Sequence, residues 1–497
     1  MKNLPQFNTY FRALLAGTLL LFGQACSEEF LDKRPQGEQV TEDFFNSQEG
    51  AVRATNAIYW QLRQWPTHVF SFIGVSSITS DDAEKGSEPN DAIFLNEFDQ
   101  FTVSPTNSGL NDFWTGQYLG IAKANQVIQR VPAIQMDTTL RSRLIGEARM
   151  LRAYFYFNLV RTFGGVPLIT AIQGDEAPAT PRSTREQTYQ QIETDLRAAI
   201  AVLPEKSQYP TTELGRATRG AAKGLLAKVS MYQGKWPQVL QLTDEIMKSG
   251  EYDLSTPYEV IFTEAGENSR ESVFEVQAAA LPQCGGGSQY AEVQGVRSAQ
   301  AGLGWGFNVP TQDLFNAYET GDPRRDATFL VRGETTRDGY TVPQTAINPY
   351  YNQKAYVGLN ESRSPCGLGD SGKNIRLLRY ADIVLMYAEA ANELNQTPAA
   401  LTALNSVRAR ARGSSTTVLP NVTATDRTQV RNAIWRERRV ELAMEHDRFW
   451  DLVRQGRAAE VLRAAGKQFM QNRNEIMPIP QQQIDASGNV LTQNPGY

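Results

Sequence analysis

The run from Ile434 to Gly456, IWRERRVELAMEHDRFWDLVRQG, is the stretch most informative about the fold, because apolar and charged residues are closely mixed in it at helical spacing. A helix of this composition cannot lie with one side in water and the other in a core. We therefore predict that it lies between other elements. There, carboxylates and guanidinium groups pair at short range, with Arg438 and Glu441 as one i,i+3 pair. The run has no lone nucleophile, and His446 has no obvious base or metal partner, which favours a structural helix over a catalytic one.

Long helical patterns recur on both sides of the middle of the chain. The pattern that ends at Phe163 stops at two glycines with a proline beyond, a clean helix stop. Small residues spaced for helix pairs, at repeats of about 34 residues, indicate stacked tetratricopeptide-like hairpins. We predict a mainly α fold with a helical-repeat scaffold at about 112–250 and 376–455. The predicted helices are 112–131, 140–163, 181–203, 216–232, 236–249, 376–394 and 398–412.

Two stretches interrupt this scaffold, residues 65–111 and 252–375. The first is rich in Ser, Asp, Asn and Pro, and the second holds many of the glycines and much of the aromatic content. We predict loop-rich insertions with short strands or turns, including a strand at 272–277 and a short helix at 311–318. Loops on a rigid scaffold are where binding residues tend to lie, so both insertions are expected to face a ligand.

The first residues are typical of an export signal. An apolar run of about ten residues, Ala13 to Phe22, is too short to span a bilayer as a helix but has the length of a signal-peptide core. We assign residues 1–25 to a signal peptide. Cys26 then resembles the cysteine of a bacterial lipobox, although Gly23 stands where leucine is usual. This predicts cleavage before Cys26 and its acylation.

The rest of the chain is predicted to form a lipid-anchored leader, 26–48, and a single domain, 49–497. Cys284 and Cys366 are the two remaining cysteines, and both lie in glycine-rich, irregular sequence. In an oxidising compartment two such thiols can pair, and whether they do is open at this point. No other stretch is long and apolar enough to cross a membrane.

Composition and motifs argue against an enzyme and against nucleic-acid binding. A formal charge of −5 gives no indication of the basic surface that nucleic-acid binding requires. The chain has no HExxH, no GxSxG elbow and no phosphate loop, and its cysteines lack metal-ligand spacing. Adjacent Asp81 and Asp82 form the one tempting carboxylate pair, and such loop pairs are usually solvated or used in turns. We expect no catalytic residue, no metal and no cofactor.

Binding is the better hypothesis. Flat aromatic rings stack on the apolar faces of sugar rings, while amides, carboxylates and Arg meet hydroxyls. The two insertions supply both kinds of side chain; the alternative is that each ring packs under its own loop. The candidate ligand contacts are Trp65, Asp81, Asp82, Phe94, Asn96, Tyr290, Trp305, Phe307 and Asn308.

Five segments resemble one known family. They are the run from Ile434 to Gly456, Glu147 to Ile169, Gly321 to Arg325, Arg376 to Leu394 and the tail MPIPQQQIDASGNVLTQNPGY. The sequences of these segments and their order along the chain are similar to those of the SusD/RagB family of cell-surface nutrient-uptake lipoproteins.

The resemblance implies a SusD-like fold and an outer-membrane location facing the exterior. It also implies capture of an oligo- or polysaccharide for a SusC-like TonB-dependent outer-membrane transporter. Peptide cargo, as in the RagB branch, is one alternative. A helical-repeat scaffold for protein interaction is the other.

Overall fold

The computed structural model describes residues 45–174 and 177–497. By its internal contacts the chain divides into Met1–Asn46 and Ser47–Tyr497, and the fold is that of the second unit. The predicted signal peptide, Cys26 and most of the leader lie outside the described residues. Within the part that the structure describes, no helix combines the length and apolar composition needed to cross a bilayer.

Helices dominate the second unit, which confirms the predicted mainly α class. In chain order they are α1 Gln48–Leu62, α2 Trp65–His68, α3 Phe70–Ile73, α4 Phe94–Gln100, α5 Ser108–Arg130, α6 Thr138–Phe163, α7 Arg185–Val202, α8 Arg219–Met231, α9 Trp236–Lys248, α10 Tyr258–Ile261, α11 Tyr290–Gln294, α12 Gln312–Ala317, α13 Tyr380–Glu393, α14 Thr397–Arg412, α15 Arg427–Glu441, α16 Arg448–Arg454, α17 Ala458–Ala464 and α18 Gln481–Ala486.

The described structure also contains three short antiparallel strand pairs. They are β1 Ala83–Gly86 with β3 Phe307–Pro310, β2 Ser272–Val276 with β6 Ile375–Arg379, and β4 Phe329–Val331 with β5 Tyr350–Asn352.

The long helices pack in sequence: α5 on α6, α6 on α7, α7 on α8, α8 on α9, α9 on α13 and α13 on α14. Helix α6 is central, and nearly all of its second half is buried. It begins after Asp137, whose side chain accepts the Leu140 N–H at 2.7 Å. It ends at Gly164, which has φ +73°. On α5, a Cβ at Gly120 would lie 2.4 Å from the Phe155 ring, so the bare glycine permits the close packing of these two helices.

Three predicted elements differ in the structure, two of which lie before residue 400. The predicted helix 376–394 is instead strand β6 followed by helix α13, because Ile375 to Arg379 pair with β2. This tertiary pairing overrides the local helical periodicity. The first insertion, predicted as loops, contains the short helices α2, α3 and α4 and a π-helix at Gly74–Ile78. Helix α3 and the π-helix are entirely buried, which polar composition did not indicate, whereas α4 buries only Leu95 and Phe98.

The run from Ile434 to Gly456 is not one continuous helix. Helix α15 ends at Glu441, and α16 begins at Arg448. Between them Met444 and His446 have φ +62° and +72°, the left-handed conformation that interrupts a helix. The helical spacing of apolar residues continues through this break, so periodicity alone does not reveal it.

The prediction that this run lies between other elements is confirmed, but the predicted ion pair is wrong. Arg438 donates to Asp382 at 2.7 Å and to Asp451 at 3.1 Å. Glu441 pairs instead with Arg379, at 3.0 Å, and with other guanidinium groups. Both side chains are buried, so the two charges are satisfied by neighbouring elements rather than by their own helix.

Candidate ligand-binding site

Aromatic side chains from both insertions meet around one ring, Phe70. Its centroid lies 4.7 Å from that of Trp65, 5.4 Å from Phe94 and 5.0 Å from Phe307. Trp305 completes the group at 5.8 Å from Trp65. We call these five residues the aromatic platform. Four of them are among the candidates named from the sequence, and the structure brings those four together although they lie in separate insertions.

Strand pairing explains how the two insertions meet. Strand β1 of the first insertion pairs with β3 of the second, and Gly86 lies opposite Phe307. Helix α4 brings Phe94 to the same place, where its ring lies over Gly109 at the start of α5. A Cβ at Gly109 would lie 2.5 Å from this ring, so only glycine leaves room for it. The platform therefore depends on contacts between segments that are far apart in sequence.

The platform has a buried layer and a partly exposed layer. Phe70 and Phe307 are 6% and 4% exposed, whereas Trp65, Phe94 and Trp305 keep part of their surface open to solvent. Edge-to-face and tilted contacts between the rings hold the layer in place. Such a surface can bind a ligand with flat apolar faces, and it provides no group for covalent chemistry.

Polar side chains lie next to these rings in sequence. Arg297 Nη1 contacts Asp91 Oδ2 at 2.9 Å, which joins the two insertions by a half-exposed ion pair. Asp91 also accepts the Ser87 hydroxyl at 2.9 Å. Asn96 is half-buried, and within the described residues its side-chain amide has no hydrogen-bond partner. Arg297 and Asp91 thus place one ion pair where the two insertions meet.

Asp81 and Asp82 lie in the interior, each 2% exposed. Both Arg448 N–H groups that face Asp81 donate to it at 2.8 Å, and Arg439 donates to Asp82 at 2.7 Å. Burial acts to raise the pKa of Asp81, but the hydrogen bonds and charge of Arg448 outweigh it and lower the pKa. For Asp82 burial prevails and the pKa is raised. The expectation of exposed polar contacts is corrected here, since both carboxylates anchor their loop to the α15–α16 region.

Tyr290 and Asn308 also make interior contacts. The Tyr290 hydroxyl lies 2.7 Å from His446 Nε2, so this histidine has a partner that its sequence context did not indicate. Burial lowers the pKa of His446 to about 3, so its ring is neutral at pH 7. Asn308 is fully buried and donates to Gln294 at 2.8 Å. The structure therefore brings neither residue to the exposed layer of the platform.

A disulfide joins Cys284 to Cys366, with the two Cα atoms 6.1 Å apart. In the same loop as Cys284, the Gly286 carbonyl oxygen accepts a hydrogen bond from Arg63, which lies two residues before Trp65. These contacts fix part of the second insertion beside the first. The sequence alone left this pairing open, and it did not single out Phe70, the ring at the centre of the platform. No motif marks Phe70, because its role depends on its neighbours in space.

Comparison with known proteins identifies the family. A family model described as the SusD family matches residues 270–497, and one described as "Starch-binding associating with outer membrane" matches residues 29–231. A SusD-like protein from Bacteroides ovatus is 30% identical over 469 residues, which cover 88% of this chain and 81% of that protein. The chain therefore belongs to the SusD family.

Solved structures agree with this assignment. A laminarin-binding SusD-like protein superposes with a TM-score of 0.79 at 30% identity, covering 91% of this chain and 100% of that chain. Surface glycan-binding protein A from Bacteroides thetaiotaomicron, in complex with laminarihexaose, gives a TM-score of 0.77 at 25% identity, covering 90% and 100%. Both are named as binding proteins. The SusD-like fold predicted from the sequence is confirmed.

Proposed function

We propose that this protein is a cell-surface glycan-binding lipoprotein that captures oligo- or polysaccharide on the aromatic platform. The single observation that carries the proposal is the meeting of Trp65, Phe94 and Trp305 at one partly exposed surface. Ring faces of this kind suit the apolar faces of sugar rings. Similar proteins named for laminarin and laminarihexaose support the same ligand class.

We further propose that Cys26 anchors the protein to the outer membrane and that the glycan passes to a partner SusC-like TonB-dependent transporter. The family description, "Starch-binding associating with outer membrane", supports the location. Binding and release without bond cleavage suffice for this role, and we assign no catalytic residue. Metabolic labelling with an alkyne fatty acid should label the protein, and Cys26→Ser should abolish the label. Co-purification of a large outer-membrane barrel tests the partner.

The binding proposal is tested by calorimetric titration of the soluble form, residues 27–497, with laminarihexaose. Trp305→Ala and Trp65→Ala should each weaken binding at least tenfold, about 1.4 kcal/mol, as loss of an aromatic contact at the centre of an interface does. Trp60→Ala is the matched control, because Trp60 is 46% exposed on α1 and contacts Lys123 instead of the platform. Unchanged affinity in both platform variants would contradict the proposal.

A further inference from the structure

The Cys284–Cys366 disulfide joins two irregular loops of the second insertion and is open to solvent. Cys366 is exposed, and Cys284 is half-buried. We call residues 284–287 the Cys284 loop and residues 364–370 the Cys366 loop. Disulfide exchange requires that a thiolate reach one of the two sulfur atoms, and exposed disulfides exchange most readily. This bond is therefore accessible to thiols in solution, unlike a disulfide buried in a core.

The carboxylate of Asp370 also joins the two loops. It accepts the Gly285 N–H at 3.1 Å and the Gly287 N–H at 2.8 Å. A Cβ at Gly287 would lie 2.2 Å from the Asp370 carbonyl carbon, so the two backbones are in close contact. Hydrogen bonds of groups near solvent are largely offset by bonds to water, whereas the covalent bond limits how far the loops can separate. The disulfide is therefore the restraint that keeps the Cys284 loop in place.

The backbone at Cys284 requires such a restraint. Cys284 has φ +64°, and Gly285 after it has φ +77°. The left-handed conformation is unfavourable for a residue with a side chain, and it persists only where the surrounding structure holds it. Once the disulfide is cut, Cys284 is free to take a right-handed or extended conformation. That change redirects the chain at the start of the Cys284 loop.

One contact of the Cys284 loop leads to Trp65. The buried Gly286 carbonyl oxygen accepts a hydrogen bond from Arg63 and another from the Ala279 N–H, the latter at 2.9 Å. Arg63 caps the C-terminal end of α1, two residues before Trp65. A shift of Gly286 takes the acceptor away from the Arg63 guanidinium. The segment that carries Trp65 then loses this attachment.

A second contact leads to Trp305. Helix α11, Tyr290–Gln294, begins shortly after the Cys284 loop, and the carbonyl oxygen of Glu292 in this helix accepts the Trp305 N–H at 2.8 Å. In the Cys366 loop, a Cβ at Gly369 would lie 3.0 Å from Glu292 Oε2. Both loops therefore border the short helix that positions the Trp305 backbone.

We propose that the Cys284–Cys366 disulfide is a redox-sensitive switch of the aromatic platform. In the oxidised protein, the closed loops hold the rings of Trp65 and Trp305 with their centroids 5.8 Å apart. Reduction by an external dithiol releases the Cys284 loop, separates the two rings and weakens glycan binding. The inference rests on the function proposed above, because it concerns the control of that same site.

The reduction is a two-electron thiol–disulfide exchange. A thiolate of the dithiol attacks Sγ of Cys366, the exposed cysteine. A mixed disulfide forms as the Cys284–Cys366 bond breaks, and Cys284 leaves as a thiolate that takes up a proton. The second thiol of the reagent, after losing its proton, attacks the first reagent sulfur atom and displaces Cys366, which is protonated in turn. The dithiol is oxidised to a cyclic disulfide, and the protein disulfide is reduced to two thiols.

The test is calorimetric titration of residues 27–497 with laminarihexaose, in the oxidised form and after reduction with dithiothreitol that is then removed under argon. We expect reduction to weaken binding about three- to tenfold, because the apparent Kd rises by the inverse of the fraction of molecules whose platform is assembled. Reoxidation with oxidised glutathione should restore the original Kd. An unchanged Kd in the fully reduced protein overturns the proposal.

The double variant Cys284→Ser/Cys366→Ser is the matched control. It should bind laminarihexaose with the Kd of reduced wild type, and dithiothreitol should not change that value. The titrations are run at a temperature at which circular dichroism shows both proteins folded. Binding by the double variant as tight as that of oxidised wild type would also overturn the proposal.

Hydrogen exchange separates the redox inference from the glycan proposal, because it requires no ligand. On reduction, the amides of Gly287 and Trp305 should exchange faster, whereas those of α6 should keep their rates. Unchanged exchange at Gly287 and Trp305 overturns the redox inference, whatever the glycan result. Faster exchange without any laminarihexaose binding by the oxidised protein would contradict the glycan proposal and support the redox release of the platform.

Discussion

Glu441 Oε1 accepts a hydrogen bond from Arg379 Nη1 at 3.0 Å, and both side chains are buried. The other carboxylate oxygen accepts from Arg324 at 3.1 Å, and Arg410 also pairs with Glu441. Burial acts to raise the pKa of Glu441, but Arg410, Arg379 and Arg324 outweigh it and lower the pKa strongly. One carboxylate thus joins α15 to α14, to β6 and to the second insertion.

Glu441→Gln should strongly destabilise the fold. The substitution removes the negative charge that three buried guanidinium groups share, and breaking a buried pair in this way costs about 3–5 kcal/mol. Urea unfolding followed by circular dichroism measures the change. Glu460→Gln, an exposed carboxylate on α17, should stay within about 0.5 kcal/mol of wild type. A loss below about 1 kcal/mol for Glu441→Gln would mean that the ion network contributes little.

His68 should make stability depend on pH. Its ring is fully buried, with Nδ1 2.9 Å from the Leu62 carbonyl oxygen, which accepts, and Nε2 beside the Tyr154 hydroxyl, which donates. Burial lowers the pKa of His68 to about 3. Below the unfolded-state pKa of about 6.5, the unfolded state therefore binds one proton more than the native state, and stability falls as pH falls.

The expected difference is measurable against a variant. Between pH 6 and 4, the unfolding free energy of wild type should fall by up to about 1.4 kcal/mol per pH unit more than that of His68→Gln. Comparing the two proteins removes the contributions of the other groups, such as Glu267, whose pKa burial raises to about 7. Parallel pH curves for the two proteins would show that His68 does not titrate as its burial requires.

Gly109→Ala should destabilise the protein, although a glycine-to-alanine change in a helix usually stabilises it. Alanine normally stabilises a helix by about 0.5–1 kcal/mol relative to glycine. Here the added Cβ would meet the Phe94 ring at 2.5 Å, and overpacking of this kind costs about 1–3 kcal/mol. Thermal unfolding should show a lower midpoint, together with weaker laminarihexaose binding. Gly174→Ala, where a Cβ would meet nothing within 4 Å, is the control.

Removal of the disulfide should lower stability without changing the fold. The bond closes a loop with a sequence separation of 82 residues, for which a loss of about 2–4 kcal/mol is typical. The double variant Cys284→Ser/Cys366→Ser should unfold at lower urea concentration, with far-ultraviolet circular dichroism unchanged. Addition of dithiothreitol should shift wild type but not the double variant. Equal shifts in the two proteins would assign the effect to the reagent.

The helical scaffold was largely predictable because helix periodicity and end signals are local. The predicted helix 140–163 lies within the observed α6, and the predicted 236–249 matches α9 to one residue. The candidate site was predictable only in part. Trp65, Phe94, Trp305 and Phe307 were found as aromatics in irregular sequence, but Phe70 at their centre carries no local signal. The sequence around Asp81 and Asp82 is as polar as that of an exposed loop. Only their Arg partners in the folded protein show that the two residues are buried.

The helix-rich class and the family follow from the amino-acid sequence alone, because each is encoded by residues close together along the chain. Tertiary packing selects which side chains meet. Antiparallel pairing of β1 with β3 makes one platform from rings more than 200 residues apart. Pairing of Glu441 with Arg379 rather than with its helix neighbour Arg438 has the same origin. Buried charges take the partner that lies nearest in space, and distance in space cannot be read from spacing along a chain.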